Sequence, residues 1–171
     1  MKNRPKRLSR EDYQRLITFF VATRGTCDRL RTATTVWDDD GKMISGGYNG
    51  SPSKSPHCDE DGHMIVDGHC IRTNHGEENA ILNSDSLGRF KGATARILGR
   101  PCYPCARKLA SLGIKKIEFI GDYKNSQGGE FIESLCREHS IELSFAEGFD
   151  FFKVLSQAID FLHGSGGPLN D

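Results

Sequence analysis

Between Ser9 and Thr23 the apolar residues Leu16, Ile17, Phe19, Phe20 and Val21 recur at roughly helical intervals, and Ser9 followed by Asp12 forms an N-cap signal. A first helix is expected there, ending before Gly25. Thr32 to Trp37 is rich in β-branched residues, Asp39, Asp40 and Gly41 supply a turn, and Met43 to Gly47 follows; together they predict a β-hairpin. From Gly46 to Pro56 the chain is dense in Gly, Asn, Ser and Pro and predicts loop. His57 to Asn74 is polar and aperiodic.

Beyond residue 75 the period alternates. Helices are predicted at Gly76 to Leu87, Cys102 to Leu112, Gly129 to His139 and Phe149 to Leu162. Strands are predicted at Ala93 to Leu98, Lys115 to Ile120 and Ile141 to Phe145. Alternating strands and helices imply an α/β fold with parallel strands in this half. A chain of 171 residues suits one domain. Residues 1–8 and 164–171 are expected to be mobile tails, the first of them basic, and 52–74 an insertion.

Composition narrows the function classes. No apolar run approaches the roughly 20 residues of a membrane helix, and no signal-peptide pattern follows the basic N-terminus, so a cytoplasmic location is expected. Lys plus Arg and Asp plus Glu number 23 each. A net charge of zero gives no global field for a nucleic-acid backbone, which argues against a polynucleotide substrate.

The chemistry concentrates in His75-Gly76-Glu77 and, across a predicted strand, Pro101-Cys102-Tyr103-Pro104-Cys105. Three N/S ligands leave zinc's fourth tetrahedral position open, the layout of a catalytic site. Cys102 and Cys105, three apart at a helix start, present both sulfurs to one ion, and the helix N-terminus favours thiolate. Glu77, two residues past a ligand, sits where it can move protons for hydrolysis without ligating the metal. A histidine and glutamate followed by paired cysteines is the signature of zinc deaminases acting on cytosine or adenine.

Further residues carry a resemblance. Gly47-Tyr48-Asn49-Gly50-Ser51-Pro52, His57-Cys58-Asp59-Glu60, Gly68-His69-Cys70-Ile71-Arg72-Thr73, Glu78-Asn79-Ala80-Ile81 and Asp122-Tyr123 flank the two zinc motifs. In these the chain resembles the deoxycytidylate (dCMP) deaminase family of the cytidine deaminase superfamily, from about Cys27 to Ile141. The resemblance implies a three-layer α/β/α sandwich around a mixed five-stranded sheet. It implies Asn49 on the sugar hydroxyl and the backbone N–H of Gly76 on the cytosine carbonyl. The family usually carries alanine at the Gly76 position, and glycine there is expected to loosen the site. Tyr103 and Tyr123 are candidates to flank the pocket, and Arg31, Lys54, Arg72 and Arg100 to hold a phosphate.

The same resemblance supports a second, structural zinc on Cys27, Cys58, His63 and Cys70, with His69 or His57 as alternatives for one position. Residues 52–74 have few apolar side chains to pack, and a metal would supply the missing folding energy. Cys136 falls on an apolar helix face and reads as a small core residue. The activity implied is hydrolysis of dCMP to dUMP and ammonia in a homo-oligomer, often a hexamer, activated by dCTP and inhibited by dTTP with Mg²⁺. The alternatives are a deaminase of dCTP, cytidine, 5-modified dCMP or tRNA adenosine, or a non-catalytic zinc-bound assembly protein of the same fold.

Overall fold

The computed structural model describes residues 6–121, 128–164 and 168–169. Helix α1 spans Arg10–Ala22, and the Ser9 hydroxyl accepts the Asp12 N–H at 3.0 Å, so the capping signal is used. The hairpin follows as β1 (Ala33–Trp37) and β2 (Met43–Tyr48). Strand β2 covers Met43 to Gly47 as the hairpin reading expects and runs one residue further, through Tyr48, into the stretch whose composition predicts loop. The glycines serve packing instead of a turn. Helix α3 (Gly76–Leu82) lies so close that a Cβ on Gly47 would stand 2.2 Å from the Ala80 nitrogen and 2.5 Å from the Gly76 carbonyl oxygen.

The insertion folds into small pieces: α2 (Cys58–Asp61) and a two-residue hairpin of β3 (Ile65–Val66) and β4 (His69–Cys70). Ile65, Val66 and Ile71 are exposed, so the segment has no apolar core of its own. Helix α3 stops at Leu82, short of the expected Leu87. Asn83 closes it with its side-chain amide donating to the Gly46 carbonyl at 2.9 Å, and Leu87–Phe90 forms a 3-10 turn. The remaining elements are β5 (Thr94–Leu98), α4 (Tyr103–Ser111), β6 (Lys116–Ile120), α5 (Ile132–Glu138), β7 (Glu142–Phe145) and α6 (Phe151–His163). A 3-10 turn at Gly129–Phe131 replaces the first turn expected of α5. Of the expected tails, residues 6–8 lie along the fold, the Lys6 carbonyl accepting from Gln157 at 3.2 Å; most of the C-terminal tail is outside the described residues.

The five strands order as β2-β1-β5-β6-β7. The two pairs involving β1 are antiparallel, and β5–β6 and β6–β7 are parallel, so the sheet is mixed. Helices α3, α4 and α5 cover one face, and α1 and α6 lie over the other, where Phe19 meets Phe151 at 4.7 Å. This is the three-layer α/β/α sandwich. Val36, Ile97, Leu109, Ile117 and Ile132 fill the first interface with Cys136 among them.

The α1 face holds a polar centre that the apolar reading of β5 does not anticipate. Arg96 and Glu118, opposite each other in the β5–β6 register, are both buried and ion-paired. Arg15 adds a two-pronged contact to Glu118 at 2.8 and 2.9 Å, and Arg96 Nε donates to the buried Gln14 side chain at 2.9 Å. Burial pushes the Glu118 carboxyl up, but the hydrogen bonds from Arg15 and Arg96 outweigh it and hold the group below its ordinary value.

Candidate active site

His75 is the N-cap residue of α3 and Cys102 that of α4, with Cys105 one turn into α4. Pro101 ahead of Cys102 and Pro104 in the first turn of α4 fix the backbone where the sulfurs must converge. Strand β5 between the two motifs carries the chain from α3 to α4, so distant residues share one end of the sheet. Both cysteine sulfurs lie 3.5 Å from His75 Nδ1. A tetrahedral zinc with Zn–S near 2.3 Å and Zn–N near 2.0 Å requires an S···N edge of about 3.5 Å. The donor set and its spacing fit that ion.

The ligands carry protons that the ion would replace. Cys102 is lowered to about 4, foremost by the hydrogen bond from Cys105, whose own thiol is pushed up in exchange. His75 is raised to about 9 by its contact with the Cys102 sulfur. Glu77 faces the same cavity, is only 4% exposed, and its carboxyl is raised to about 7 by that burial. A carboxyl at that value both takes and gives protons near neutrality.

Glu78, which sequence reasoning gave no role, ties the two ligand-bearing helices together. One carboxylate oxygen accepts the His75 backbone N–H at 3.0 Å and the other receives the Lys108 ammonium of α4. Asn49 lines the cavity as expected. Its side-chain oxygen accepts the Gly76 N–H at 2.8 Å and its amide donates to the Leu30 carbonyl at 3.1 Å. The two groups expected to meet sugar and base are therefore bonded to each other. Gly76 is also closely packed: a Cβ there would stand 3.1 Å from Ala33 Cα and from the Gly47 carbonyl oxygen. Its missing side chain admits the β1 and β2 backbones.

Of the four phosphate candidates only Arg100 lines the cavity. Arg31 is exposed, Lys54 faces a separate groove with His57, and Arg72 turns to Asp61 at 3.9 Å. Tyr103 packs edge-on against Phe131 and the core, away from the cavity, and Tyr123 lies outside the described residues. Arg29 and His69 do line the cavity. Arg29 belongs to no motif, which is why sequence reasoning passed over it.

Cys27, Cys58, His63 and Cys70 form a second cluster, their ligand atoms all within 4.8 Å of one another. Cys58 and Cys70 sulfurs are 3.6 Å apart, close to the S···S edge of about 3.8 Å that a tetrahedral zinc requires. His63 completes the cluster: Nδ1 faces Cys27 at 3.9 Å while Nε2 meets Asp28 at 2.9 Å, an arrangement in which an outer carboxylate could orient the ring toward an ion. His57 is instead bonded to Thr26, and His69 faces the cavity. Burial pushes the Cys58 thiol up to about 12. For Cys70 burial is outweighed by hydrogen bonds from the Arg72 backbone and His63, which bring it down to about 6.

Comparison with known proteins agrees with this geometry. Residues 10–120 match the model of the cytidine and deoxycytidylate deaminase zinc-binding region. ComE operon protein 2 of Bacillus subtilis is 38% identical over 120 residues, covering 70% of this chain and 63% of that protein. Deoxycytidylate deaminase of Enterobacteria phage T2 is 26% identical over 166 residues, covering 74% of this chain and 87% of that one. The crystal structure of dCMP deaminase from cyanophage S-TIM5 in complex with dCMP and dUMP superposes with a TM-score of 0.64 at 20% identity, over 79% of this chain and 95% of that chain. At that identity the likeness concerns the fold. The chain belongs to the cytidine and deoxycytidylate deaminase family, whose zinc-binding region its residues 10–120 match.

Proposed function

We propose that the protein hydrolyses dCMP to dUMP and ammonia. The observation that carries the reaction type is Glu77, an ionisable carboxyl buried in the wall of the cavity that holds His75, Cys102 and Cys105. A structural metal centre has no use for such a group, which speaks against an assembly protein. The similarity to deoxycytidylate deaminases supports the substrate.

His75, Cys102 and Cys105 would hold a zinc ion, which would supply Lewis-acid activation of a water, with a pKa lowered towards ~7. Glu77 takes a proton from the attacking water and delivers it to the ring nitrogen. It then passes the second proton to the amine, which departs from C4 as ammonia while the water oxygen becomes the carbonyl of uracil. Burial keeps bulk water from competing for these protons, and the Glu78–Lys108 bridge keeps His75 in register with the cysteines. Asn49 and the Gly76 N–H orient the nucleoside once their mutual bond opens.

Cys27, Cys58, His63 and Cys70 hold a second, structural zinc in this reading. The resemblance also brings a homo-oligomer up to a hexamer, activated by dCTP and inhibited by dTTP with Mg²⁺. No described helix is long and apolar enough to cross a membrane. The test is ammonia release from dCMP, dCTP, cytidine, 5-modified dCMP and tRNA adenosine, with and without dCTP and dTTP. dCMP is expected to be preferred; turnover of tRNA adenosine alone would overturn the substrate. Glu77→Gln should keep its zinc and lose at least a hundredfold in kcat, and unchanged turnover would remove Glu77 from the mechanism.

A further inference from the structure

The second metal cluster is not remote from the catalytic cavity. Cys27 and Cys70, two of its four ligands, line that cavity together with His75 and Glu77. Each brings a neighbour with it: Arg29 two residues past Cys27, and His69 next to Cys70. The two arms are strapped together, because Arg29 Nη2 donates to the Gly68 carbonyl at 2.8 Å. Asp67 and Gly68, both at positive φ, make the tight β3–β4 turn that presents this carbonyl. Across the cavity stands Arg100, whose Nη2 is engaged by Glu133 and the Gly129 carbonyl while its buried Nε has no partner. Among the described residues, Glu77 is the one carboxylate in the lining, against two guanidiniums.

We propose that Arg29, His69 and Arg100 form the subsite that takes the phosphate of a pyrimidine nucleotide, and that the second metal cluster sets selectivity for nucleotide over nucleoside by positioning the first two. This deepens the dCMP reading and rests on it. A phosphate needs several converging donors. Arg29 has guanidinium N–H groups beyond the one spent on Gly68, His69 offers a ring N–H, and Arg100 offers the unpartnered Nε–H. The neutral base then lies towards Glu77 and the anionic end towards the arginines, which separates the two ends of the substrate by charge. His69 sits in an insertion without an apolar core and Arg29 is strapped to it through Gly68, so both are held in place only while the cysteines and His63 are fastened.

The experiment compares kcat/KM for dCMP and deoxycytidine in wild-type holoenzyme, Arg29→Gln and Cys70→Ser, with zinc content measured for each. Arg29→Gln should keep two zinc ions and lower the dCMP-to-deoxycytidine ratio by on the order of tenfold or more. Calorimetric binding of dCMP to the Glu77→Gln protein should weaken by a similar factor when Arg29→Gln is added, a readout independent of turnover. Cys70→Ser should fall to one zinc and lose the same ratio; if it does not fold, the Arg29 comparison decides alone. An equal loss for both substrates, or an unchanged ratio, assigns Arg29 to holding the loop and overturns the subsite. Wild-type protein that deaminates neither compound sinks the dCMP reading itself, and the subsite with it.

Discussion

Replacing Gly47 with alanine tests the most exacting contact in the structure. Gly47 lies in β2 opposite Thr34, directly beneath the helix that carries His75 and Glu77. A Cβ at this position would stand 2.2 Å from the Ala80 nitrogen, 2.5 Å from the Asn79 carbonyl carbon and 2.5 Å from the Gly76 carbonyl oxygen. Comfortable non-bonded separations begin at about 3.5 Å, so α3 must retreat by roughly 1 Å. All three obstacles are backbone, so no side-chain rotation relieves them. Overpacking of this kind costs about 1–3 kcal/mol, and rigid neighbours place it at the upper end. The retreat also draws His75 from sulfurs it meets at 3.5 Å. A displacement near 1 Å is worth on the order of a hundredfold in rate. Gly47→Ala should therefore lower both the melting temperature and kcat/KM, and bind zinc less tightly in a chelator competition. Gly88→Ala, whose Cβ would meet only Ser86 Oγ at 3.9 Å, is the control and should change little. Wild-type stability and turnover in Gly47→Ala would show that α3 does not rest on β2 as described.

Three further outcomes follow from the same geometry. Gly76→Ala, with its nearest obstacles at 3.1 Å, needs a shift of only a few tenths of an ångström; it should cost about 1 kcal/mol and much less activity than Gly47→Ala, as parallel melting and kinetic measurements would show. Glu118→Gln leaves Arg96 buried without its full partner and should cost on the order of 3 kcal/mol in urea unfolding at pH 7. Because the folded carboxyl is held below its ordinary value, its stabilisation is complete above about pH 4.3 and is lost as pH falls through the folded value; the variant's stability should decline less steeply there than the wild type's. Cys58→Ala should halve the zinc content and abolish amide-exchange protection in 57–71 while β5 and β6 stay protected, since the insertion has little apolar packing to fall back on.

The legible parts of the sequence were those in which a local pattern and a local structure coincide. Ser9 and Asp12 announce α1 because the cap is formed within four residues. His75, Glu77, Cys102 and Cys105 are readable because each motif places its ligands within one turn of a helix. What failed to show depends on contacts between distant segments. Gly46 and Gly47 fall where the strand and loop readings overlap, and only α3 laid across β2 shows why glycine is needed there. His57, His63 and His69 are indistinguishable by spacing; the fold alone brings His63 to the three cysteines, beside Asp28. Arg96 hides in an apolar run because its partner Glu118 sits on another strand, and Arg29 has no motif because its role depends on the fold of the insertion.

The Arg96–Glu118 pair has one more consequence, for how the sheet finds its alignment. Strands β5 and β6 run parallel through the middle of the molecule with small and branched apolar residues on their other face. Such strands pair almost as well after sliding two positions, because the inward face stays apolar. A slide of two would carry Glu118 past Arg96 and strand two buried charges, each costing several kcal/mol. The polar centre thus works as a key cut for one alignment. By holding β5 and β6 in step, it fixes where β5 ends, and with it the distance the chain must cross to bring Cys102 to His75.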